Sequence, residues 1–214
     1  MRMSMITVGL SVCALISAGL TISFDAKGRR RLFGRAKPLT TVLIIAVALI
    51  APAPVPTAYK TFIVAGLLFS LLGDIALTLS ERWFQAGLAA FLVAQAFYIL
   101  AFKPGPGHQA SIGVFLPFIL YGLLMFFILA PGLGALKIPV LVYIAAITTM
   151  AGLAAGRFVD LGGTKPLLAF IGAVLFLISD SVLAYDRFGK KVGRAQLLIL
   201  GTYFPAQLLI ALSI

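Results

Sequence analysis

Two acidic residues, Asp74 and Asp180, lie inside long apolar stretches of the sequence. Asp74 falls in LLFSLLGDIALTLS (67–80) and Asp180 in FIGAVLFLISDSVLA (170–184). An Asp at the centre of a membrane-spanning helix costs roughly 2.5–3.5 kcal/mol on insertion scales, so such residues usually face a polar interior and mark functional sites. We therefore predict that Asp74 and Asp180 are the catalytic pair. The alternative is a structural hydrogen bond that locks helices together.

Two carboxyl groups in one apolar chamber can act as an acid and a base. Burial disfavours charge, and a neighbouring carboxylate disfavours it further, so one group keeps its proton while the other is ionised. Such a pair suits reactions that pass through an oxocarbenium ion, such as cleavage of an acetal or an enol ether. An ester hydrolase would instead need a nucleophile and an oxyanion hole.

Other catalytic chemistries lack the residues they require. The chain contains one cysteine, Cys13, and one histidine, His108, which falls in a predicted loop. A single cysteine cannot form an intramolecular disulfide, and a single loop histidine supplies neither a His-rich metal site nor a Ser-His-Asp relay in the membrane. We therefore expect no metal and no cofactor.

The elements that carry Asp74 and Asp180 are expected to be transmembrane helices. Hydrophobic residues make up 62% of the 214 residues, and the mean hydropathy is +1.13. A soluble domain of this size could not bury so much apolar surface. About 20 apolar residues cross the hydrocarbon core as a helix, whose backbone groups bond within their own segment. The sequence predicts an all-α integral membrane protein, a single domain over 1–214 formed by a bundle of eight transmembrane helices. The predicted spans are 4–24, 38–55, 61–80, 84–102, 111–131, 135–155, 166–186 and 195–213.

Short Pro- and Gly-rich segments separate several of these spans. They are APAPVP (51–56), KPGPGH (103–108) and LGGTKP (161–166), which have the composition of turns. The first span has no extended basic leader and no A-x-A-like cleavage site, so we expect it to be a helix of the mature protein.

The distribution of Lys and Arg predicts the orientation in the membrane. Twelve of the 17 basic residues follow odd-numbered spans, with the densest group in DAKGRRRLFGRAK (25–37). Because basic loops stay in the cytoplasm, we expect this loop to be cytoplasmic and both termini to lie outside. The net charge of +11 then reflects topology and attraction to anionic lipid headgroups. No nucleic-acid-binding module is recognisable, and we expect no nucleic acid partner.

Other polar side chains are expected to gather around the two carboxyl groups. Asp74 and Asp180 each lie six residues before the inner end of their predicted span, roughly 9 Å below the membrane boundary. Small or polar residues recur at every fourth position from Gly66 through Asp74 to Thr78, which places them on one inward-facing side of the third helix. Polar residues at compatible depth on other helices are Thr40, Thr41, Gln95, Tyr98, Ser179, Ser181, Thr202, Tyr203 and Gln207.

Two pairs of similar segments suggest an internal repeat. AGLLFSLLGD (65–74) is similar to IGAVLFLISD (171–180), and LVAQAFYIL (92–100) is similar to FPAQLLIAL (204–212), at offsets of 106 and 112 residues. Apolar segments align easily by chance, so a true repeat and a chance likeness are equally supported.

A true repeat would divide the chain into halves 1–110 and 111–214. Four spans in each half give two parallel four-helix repeats, related by an axis along the membrane normal. Asp74 and Asp180 would then face one another across that axis. In this alignment Lys37 and Lys137 open the second and sixth helices in similar positions.

Five segments together resemble the YhhN family of eight-span membrane proteins, which includes the lysoplasmalogenases. They are KPLTTVLII (37–45), LLGDIALTL (71–79), FLVAQAFYILAF (91–102), FIGAVLFLISDSVLA (170–184) and TYFPAQLLIALS (202–213). The resemblance covers nearly the full length. It implies hydrolysis of the vinyl-ether bond of a lysoplasmalogen, which yields a fatty aldehyde and a glycerophospho-base, without a known metal requirement.

The resemblance also implies roles for individual residues. One of Asp74 and Asp180 would be the proton donor, and the other would stabilise the cation or align water; the sequence does not distinguish them. Lys37 is expected at the inner rim, either holding the substrate phosphate or acting as a topology charge. Many relatives carry His where this chain has Gln95, whose amide does not transfer protons. The residues expected to bind substrate are Lys37, Gln95, Tyr98, Ser179, Tyr203 and Gln207.

The expected partners are a lysophospholipid substrate and membrane lipids, and the expected location is the inner (cell) membrane of a bacterium. An alternative function is a proton-coupled small-solute transporter that uses the same Asp pair, since carriers also contain intramembrane acids and repeats. Only Pro117 and Pro205 fall well inside predicted spans, which disfavours the interrupted helices of carriers. A third alternative is a scaffold in which the Asp pair merely bonds helices.

Overall fold

The computed structural model describes residues 4–51, 55–104 and 112–214, and all regular secondary structure in these ranges is helical. Eight helices within the ranges are long and apolar enough to cross a membrane, which confirms the predicted all-α bundle. They are α1 (Met5–Ala26), α2 (Arg30–Ile50), α3 (Thr57–Leu79), α4 (Phe84–Phe102), α5 (Ile112–Leu129), α6 (Lys137–Leu161), α7 (Thr164–Phe188) and α8 (Ala195–Leu212). Short 3₁₀ turns lie at Glu81–Trp83, Ala130–Gly132 and Gly134–Leu136. His108, predicted in a loop, is outside the described residues.

Several helix boundaries differ from the prediction, most of all the start of α2 and the end of α6. Helix α2 begins at Arg30 rather than at residue 38, because Arg, Leu and Ala are good helix formers although Arg lowers hydropathy. Helices α6 and α7 are separated only by Gly162 and Gly163, whose φ angles of 60° and 77° are in the left-handed region that glycine tolerates. The predicted break at 161–166 is therefore shorter, and Pro166 lies in the first turn of α7, where its missing N–H costs nothing.

Apart from α4 and α5, consecutive helices within the described residues pack as antiparallel neighbours, most closely α3 with α4 and α7 with α8. Glycines allow both approaches. A Cβ on Gly66 of α3 would collide with the Tyr98 ring of α4, and a Cβ on Gly172 of α7 would lie 2.8 Å from the carbonyl oxygen of Ala206 on α8. The backbones can approach this closely because these positions carry no side chain.

The helix pairings in the two halves of the chain correspond. Helix α1 packs on α2 as α5 packs on α6, α2 on α3 as α6 on α7, and α8 on α2 as α4 on α6. These pairings support the predicted parallel repeat. Three pairings lack a comparable counterpart among the described residues. Helix α1 packs on α8, α3 on α8 and α5 on α7, whereas α4 with α5, α7 with α4 and α1 with α3 make no comparable contact.

The first and fifth helices also differ in burial. Helix α1 packs inward through small residues at three- and four-residue spacing, which are Thr7, Ser11, Ala14, Ala18 and Thr21. Helix α5 has only Gly122 and Leu129 buried. Large buried side chains are concentrated on α4, α7 and α8, where Tyr98, Phe176 and Phe204 are almost fully shielded.

Candidate active site

Asp74 is fully buried and is held by three donors from two neighbouring helices. Its Oδ2 atom accepts hydrogen bonds from the Thr41 hydroxyl of α2 at 2.6 Å and from the Tyr203 hydroxyl of α8 at 2.8 Å. The Lys37 ammonium of α2 lies 3.1 Å from Oδ1. Charged donors and hydroxyl groups at these distances stabilise the ionised carboxylate.

Lys37 does not occupy the position that the sequence predicted. It was expected at the inner rim of the membrane, opening the second helix, but it lies seven residues inside α2 and is 5% exposed. The helix begins earlier than expected, so the residue is carried into the bundle, where Asp74 offsets the cost of burying the ammonium. Lys37 is therefore part of the carboxylate cluster and is not placed to meet a phosphate at the rim.

Asp180 is bound by two neutral side chains and is only half-buried. Its Oδ2 atom accepts a hydrogen bond from the Tyr143 hydroxyl of α6 at 2.5 Å and a longer one from the Gln95 amide of α4 at 3.3 Å. No lysine or arginine among the described residues forms an ion pair with it. Compared with Asp74, the Asp180 carboxyl group has fewer stabilising donors and more open space.

The two carboxyl groups lie in adjoining clusters. The rings of Phe91, Phe176 and Tyr203 pack against one another with centroids 5.8–6.2 Å apart, and Phe176 lies one helical turn before Asp180. The Tyr203 hydroxyl donates to Asp74, so this packing of rings connects the two clusters. Counted from the ends of α3 and α7, the two acids are five and eight residues deep, roughly 7.5 and 12 Å, rather than at the predicted common depth.

A cavity of about 400 Å³ borders Asp180 but not Asp74. Helices α4, α5, α6 and α7 form its walls, which are mainly aliphatic and aromatic; the polar groups that line it include Tyr143, Tyr121 and Ser181. This volume lies within the range of small-ligand pockets. The sequence predicted one chamber flanked by both acids, whereas the cavity gives ligand access to Asp180 alone, because Lys37, Thr41 and Tyr203 enclose Asp74.

The remaining predicted binding residues are brought together in part. The Tyr98 hydroxyl donates to the Gln207 side chain at 2.7 Å, so these two residues form a buried polar link between α4 and α8. Ser179 donates to the backbone carbonyl of Ile199 at 3.1 Å, which ties α7 to α8 and turns the hydroxyl away from the cavity. Gln95 is fully buried, and its Oε1 atom has no partner among the described residues.

Tyr143 was missed by the sequence analysis although it makes the shortest contact with Asp180. Two signals could have identified it. It lies six residues inside the basic end of α6, a depth similar to that used for the acids. The offset of 106 residues that relates Asp74 to Asp180 also relates Lys37 to Tyr143. The predicted correspondence of Lys37 with Lys137 is therefore wrong, since Lys137 opens α6 and Lys37 does not open α2.

Comparison with known proteins places this architecture in a family. The model of the YhhN family matches residues 33–214, a range that includes Lys37, Asp74, Tyr143 and Asp180. The chain belongs to the YhhN family. This match confirms the family resemblance that was predicted from five sequence segments. Every residue of the two carboxylate clusters falls within the matched range.

Relatives of this YhhN-family chain include named enzymes and an unassigned membrane protein. It is 37% identical to lysoplasmalogenase TMEM86A of Bos taurus, over 74% of this chain and 66% of the relative. It is 34% identical to lysoplasmalogenase TMEM86B of Homo sapiens, over 72% of this chain and 64% of the relative. The Escherichia coli O6:H1 membrane protein YhhN is 28% identical over 96% of this chain and 97% of its own length.

The length covered differs between these relatives. The YhhN-family chain spans slightly less than two thirds of the two mammalian proteins, but almost the whole of the Escherichia coli protein. No solved structure matches the chain with significance.

Proposed function

We propose that this protein is a membrane-embedded hydrolase of the lysoplasmalogenase kind. It cleaves the vinyl-ether bond of a single-chain ether phospholipid and releases a fatty aldehyde and a glycerophospho-base. The observation that carries the proposal is the position of Asp180, a half-buried carboxyl group that borders an apolar cavity and adjoins a second carboxylate paired with Lys37. Relatives named lysoplasmalogenases at 34–37% identity support the same reaction.

Asp180 is assigned the proton transfers because it alone of the two acids lines the cavity. In its acid form it donates a proton to the β-carbon of the vinyl ether, and the double bond becomes an oxocarbenium ion at the α-carbon. Water adds to that carbon and returns a proton to Asp180, which gives a hemiacetal. The hemiacetal breaks its bond to the glycerol oxygen, which takes a proton and leaves as a hydroxyl while the aldehyde forms. One water is consumed.

Asp74 is assigned the role of a fixed negative charge. Lys37, Thr41 and Tyr203 hold it as a carboxylate, and it adjoins Asp180 without bordering the cavity. In an interior of low dielectric constant, a preorganised charge stabilises a cation that forms nearby more strongly than it would in water. Asp74 therefore lowers the barrier to the oxocarbenium ion through its field rather than through contact.

Gln95 is assigned the positioning of water. Its amide nitrogen reaches Asp180, and its buried carbonyl oxygen has no partner among the described residues. An amide oxygen can accept a hydrogen bond but does not take up a proton at neutral pH. Gln95 can thus orient the attacking water while Asp180 accepts its proton. A relative with His at this position would have a second group able to titrate.

The proposed location is the inner membrane of a bacterium, with the basic side in the cytoplasm. Two basic residues on the opposite side have structural partners that account for them. Lys60 donates to the carbonyl groups of Leu49 and Ala51 at the end of α2, and Lys165 donates to that of Leu212 at the end of α8. Cations at helix C-termini are stabilising, so these lysines are compatible with an outer position.

The test is aldehyde release by the purified protein in liposomes that contain a lysoplasmalogen. We expect turnover by the wild type and a loss of roughly 10²–10⁴-fold in Asp180→Asn, the usual contribution of general acid-base catalysis. The matched control is Asp160→Asn, an exposed acid at the other end of the bundle, which should keep wild-type activity. A saturated ether lipid should yield no aldehyde.

Two results would contradict this proposal. The first is full turnover by a correctly folded Asp180→Asn variant, judged by its thermal midpoint, which would remove Asp180 from the mechanism while leaving the hydrolase activity in place. The second is uptake of a small solute driven by a proton gradient without any aldehyde, which would support the transporter alternative.

A further inference from the structure

We propose that the gap between α4 and α5 is a lateral portal, through which a single-chain amphiphile enters the cavity from the leaflet on the basic side of the membrane. Exposed residues that line the cavity beside this gap include Gln85 and Ala89 on α4 and Val142 on α6, and the lining on the α5 side includes the partly buried Tyr121 and Met125. The chemical identity of the ligand as an ether lipid rests on the proposed function. The route and the single-chain class rest on the geometry of the bundle.

The first argument is the broken correspondence between the two halves. In the Asp74 half, α1 packs against both α2 and α8. In the Asp180 half, α5 takes the place of α1 and packs on α6, but the equivalent contact with α4 is missing among the described residues. The cavity occupies that place, and its walls include residues of both α4 and α5.

The second argument is the exposure of the cavity walls. Gln85 and Ala89 on α4 and Val142 on α6 line the cavity and have exposed side chains. The cavity is not fully enclosed, so we infer that it opens here to the layer that surrounds the helices. Ala89 and Val142 each lie five residues inside the basic end of their helix, roughly 7.5 Å deep. At this depth we expect that layer to be hydrocarbon, so a lipid chain can pass through the opening without crossing water.

The third argument is the distribution of polarity along the cavity. On α7 the lining runs from Leu177 through Asp180 to Phe188 at the basic end, so Asp180 lies roughly 12 Å from that end. Lys137, which is exposed, adjoins the lining residues Leu136 and Ile138. An amphiphile with an anionic headgroup is thus matched by positive charge at the mouth and apolar walls within.

The fourth argument is an unpartnered polar group beside the lining residue Asp180, although the group itself does not line the cavity. The Gln95 carbonyl oxygen is buried and has no partner among the described residues, although its amide nitrogen reaches Asp180. Buried polar atoms nearly always have a partner when a site is occupied. A polar group at the head of a hydrocarbon chain, or the water that reacts with it, would supply one.

The test uses a probe that binds but cannot be cleaved: a saturated alkyl-ether lysophosphatidylcholine with a photoreactive diazirine in its chain, incorporated into liposomes with the full-length protein. Labelled peptides are identified by mass spectrometry. We expect labelling on α4 and α5 around Leu88, Ala89 and Met125, displaced by unlabelled single-chain lipid.

Two matched variants on α4 make the test specific. Ala89→Phe fills the portal and should lower this labelling at least fivefold, as should Val142→Phe on α6. Ala86→Phe introduces the same ring three residues away at an exposed position that does not line the cavity, and it should label like the wild type. Thermal midpoints of all three variants confirm folding.

The outcomes separate the portal from the hydrolase. Portal labelling without aldehyde release would support the portal and reject the hydrolase. Aldehyde release with labelling that Ala89→Phe and Val142→Phe leave unchanged would overturn the portal. Equal labelling by a diacyl phospholipid carrying the same diazirine would overturn the single-chain class, because it would identify the gap as an ordinary lipid contact.

Discussion

At the scale of single residues, the two acids differ by their partners. Asp74 has a lysine and two hydroxyl groups, whereas Asp180 has a tyrosine and an amide. A buried ion pair seldom adds net stability, but removing one partner leaves an uncompensated charge in a medium that solvates it poorly. The Lys37–Asp74 pair is therefore sensitive to single substitutions and tolerant of paired ones.

Lys37→Met should destabilise the protein by roughly 3–5 kcal/mol, because it leaves Asp74 without its cation. The double variant Lys37→Met/Asp74→Asn removes both charges and should recover most of that loss. Thermal unfolding in detergent measures the stability of the single and the double variant. A double variant less stable than Lys37→Met alone would show that the two residues are not energetically coupled.

Tyr143→Phe should lower kcat for aldehyde release while leaving KM nearly unchanged. Its hydroxyl stabilises the carboxylate that forms as Asp180 gives up its proton, and a hydrogen bond to a charged group contributes about 1.5–3 kcal/mol, so the loss is roughly tenfold to a hundredfold. Tyr121→Phe is the control, because Tyr121 lines the same cavity but donates to Ser181. Equal losses in both variants would indicate a general disturbance of the cavity.

The acids could be identified from the sequence at this scale, but their partners could not. Asp74 and Asp180 stand out because a carboxylate is costly in an apolar segment. Tyr143 is amphipathic, and a tyrosine in a membrane helix has many ordinary explanations. Lys37 was misplaced because its interpretation depended on where α2 begins, and its partner lies 37 residues away on another helix.

At the scale of helices, close approach depends on positions without side chains. Gly172 of α7 lies against the α8 backbone, where an added Cβ would be 2.8 Å from the Ala206 carbonyl oxygen and 3.1 Å from the Ile210 nitrogen. Backbone cannot move aside as a flexible side chain can, so the two helices would have to separate. The α7 segment also carries Asp180, which would shift with it.

Gly172→Ala should therefore lower stability by roughly 1–3 kcal/mol through overpacking. Gly201→Ala is the matched control on α8, since its Cβ would meet nothing within 4 Å, and the gain in helix propensity should leave stability unchanged or raise it by up to about 1 kcal/mol. Thermal midpoints of the two variants decide the matter. A neutral Gly172→Ala would contradict the close packing of α7 on α8.

Hydropathy was sufficient to predict the number of helices but not how they fit together. Eight apolar segments of spanning length are a direct consequence of membrane thickness. The start of α2 was missed because Arg30, Arg31 and Arg35 are polar yet favour helix, so the helix continues beyond the apolar segment. The missing contact between α4 and α5 has no sequence signal, because both helices are almost uniformly apolar.

At the scale of the whole molecule, the two halves share a plan but differ in their details. The offset of 106 residues relates Gly66 to Gly172, Asp74 to Asp180 and Lys37 to Tyr143. Equivalent positions in the two halves therefore carry the glycine of a close helix contact, the acid, and a side chain that binds the acid. This agreement supports the predicted repeat. The residue that binds the acid differs between the halves. The Lys37 ammonium pairs with Asp74, whereas the neutral Tyr143 hydroxyl binds Asp180.

The predicted orientation can be tested with the positions of basic residues. In a Cys13→Ser background, Lys103→Cys and Lys190→Cys place single thiols at exposed positions near opposite ends of the bundle. A membrane-impermeant maleimide should label Lys103→Cys in intact cells and Lys190→Cys only after permeabilisation, because the predicted orientation places the basic side in the cytoplasm. The reverse pattern would invert the topology and, with it, the leaflet that supplies the substrate.

The filling of one gap by α1 has a consequence for stoichiometry. A bundle with fully equivalent halves would have two crevices for lipid. Two lipids bound at once could then change one another's affinity through the helices that contact both crevices. Here the small side chains of α1 pack into the bundle in one half. The cavity beside Asp180 lies in the other half, so under the proposed function we expect one lipid per polypeptide and saturation along a simple hyperbola.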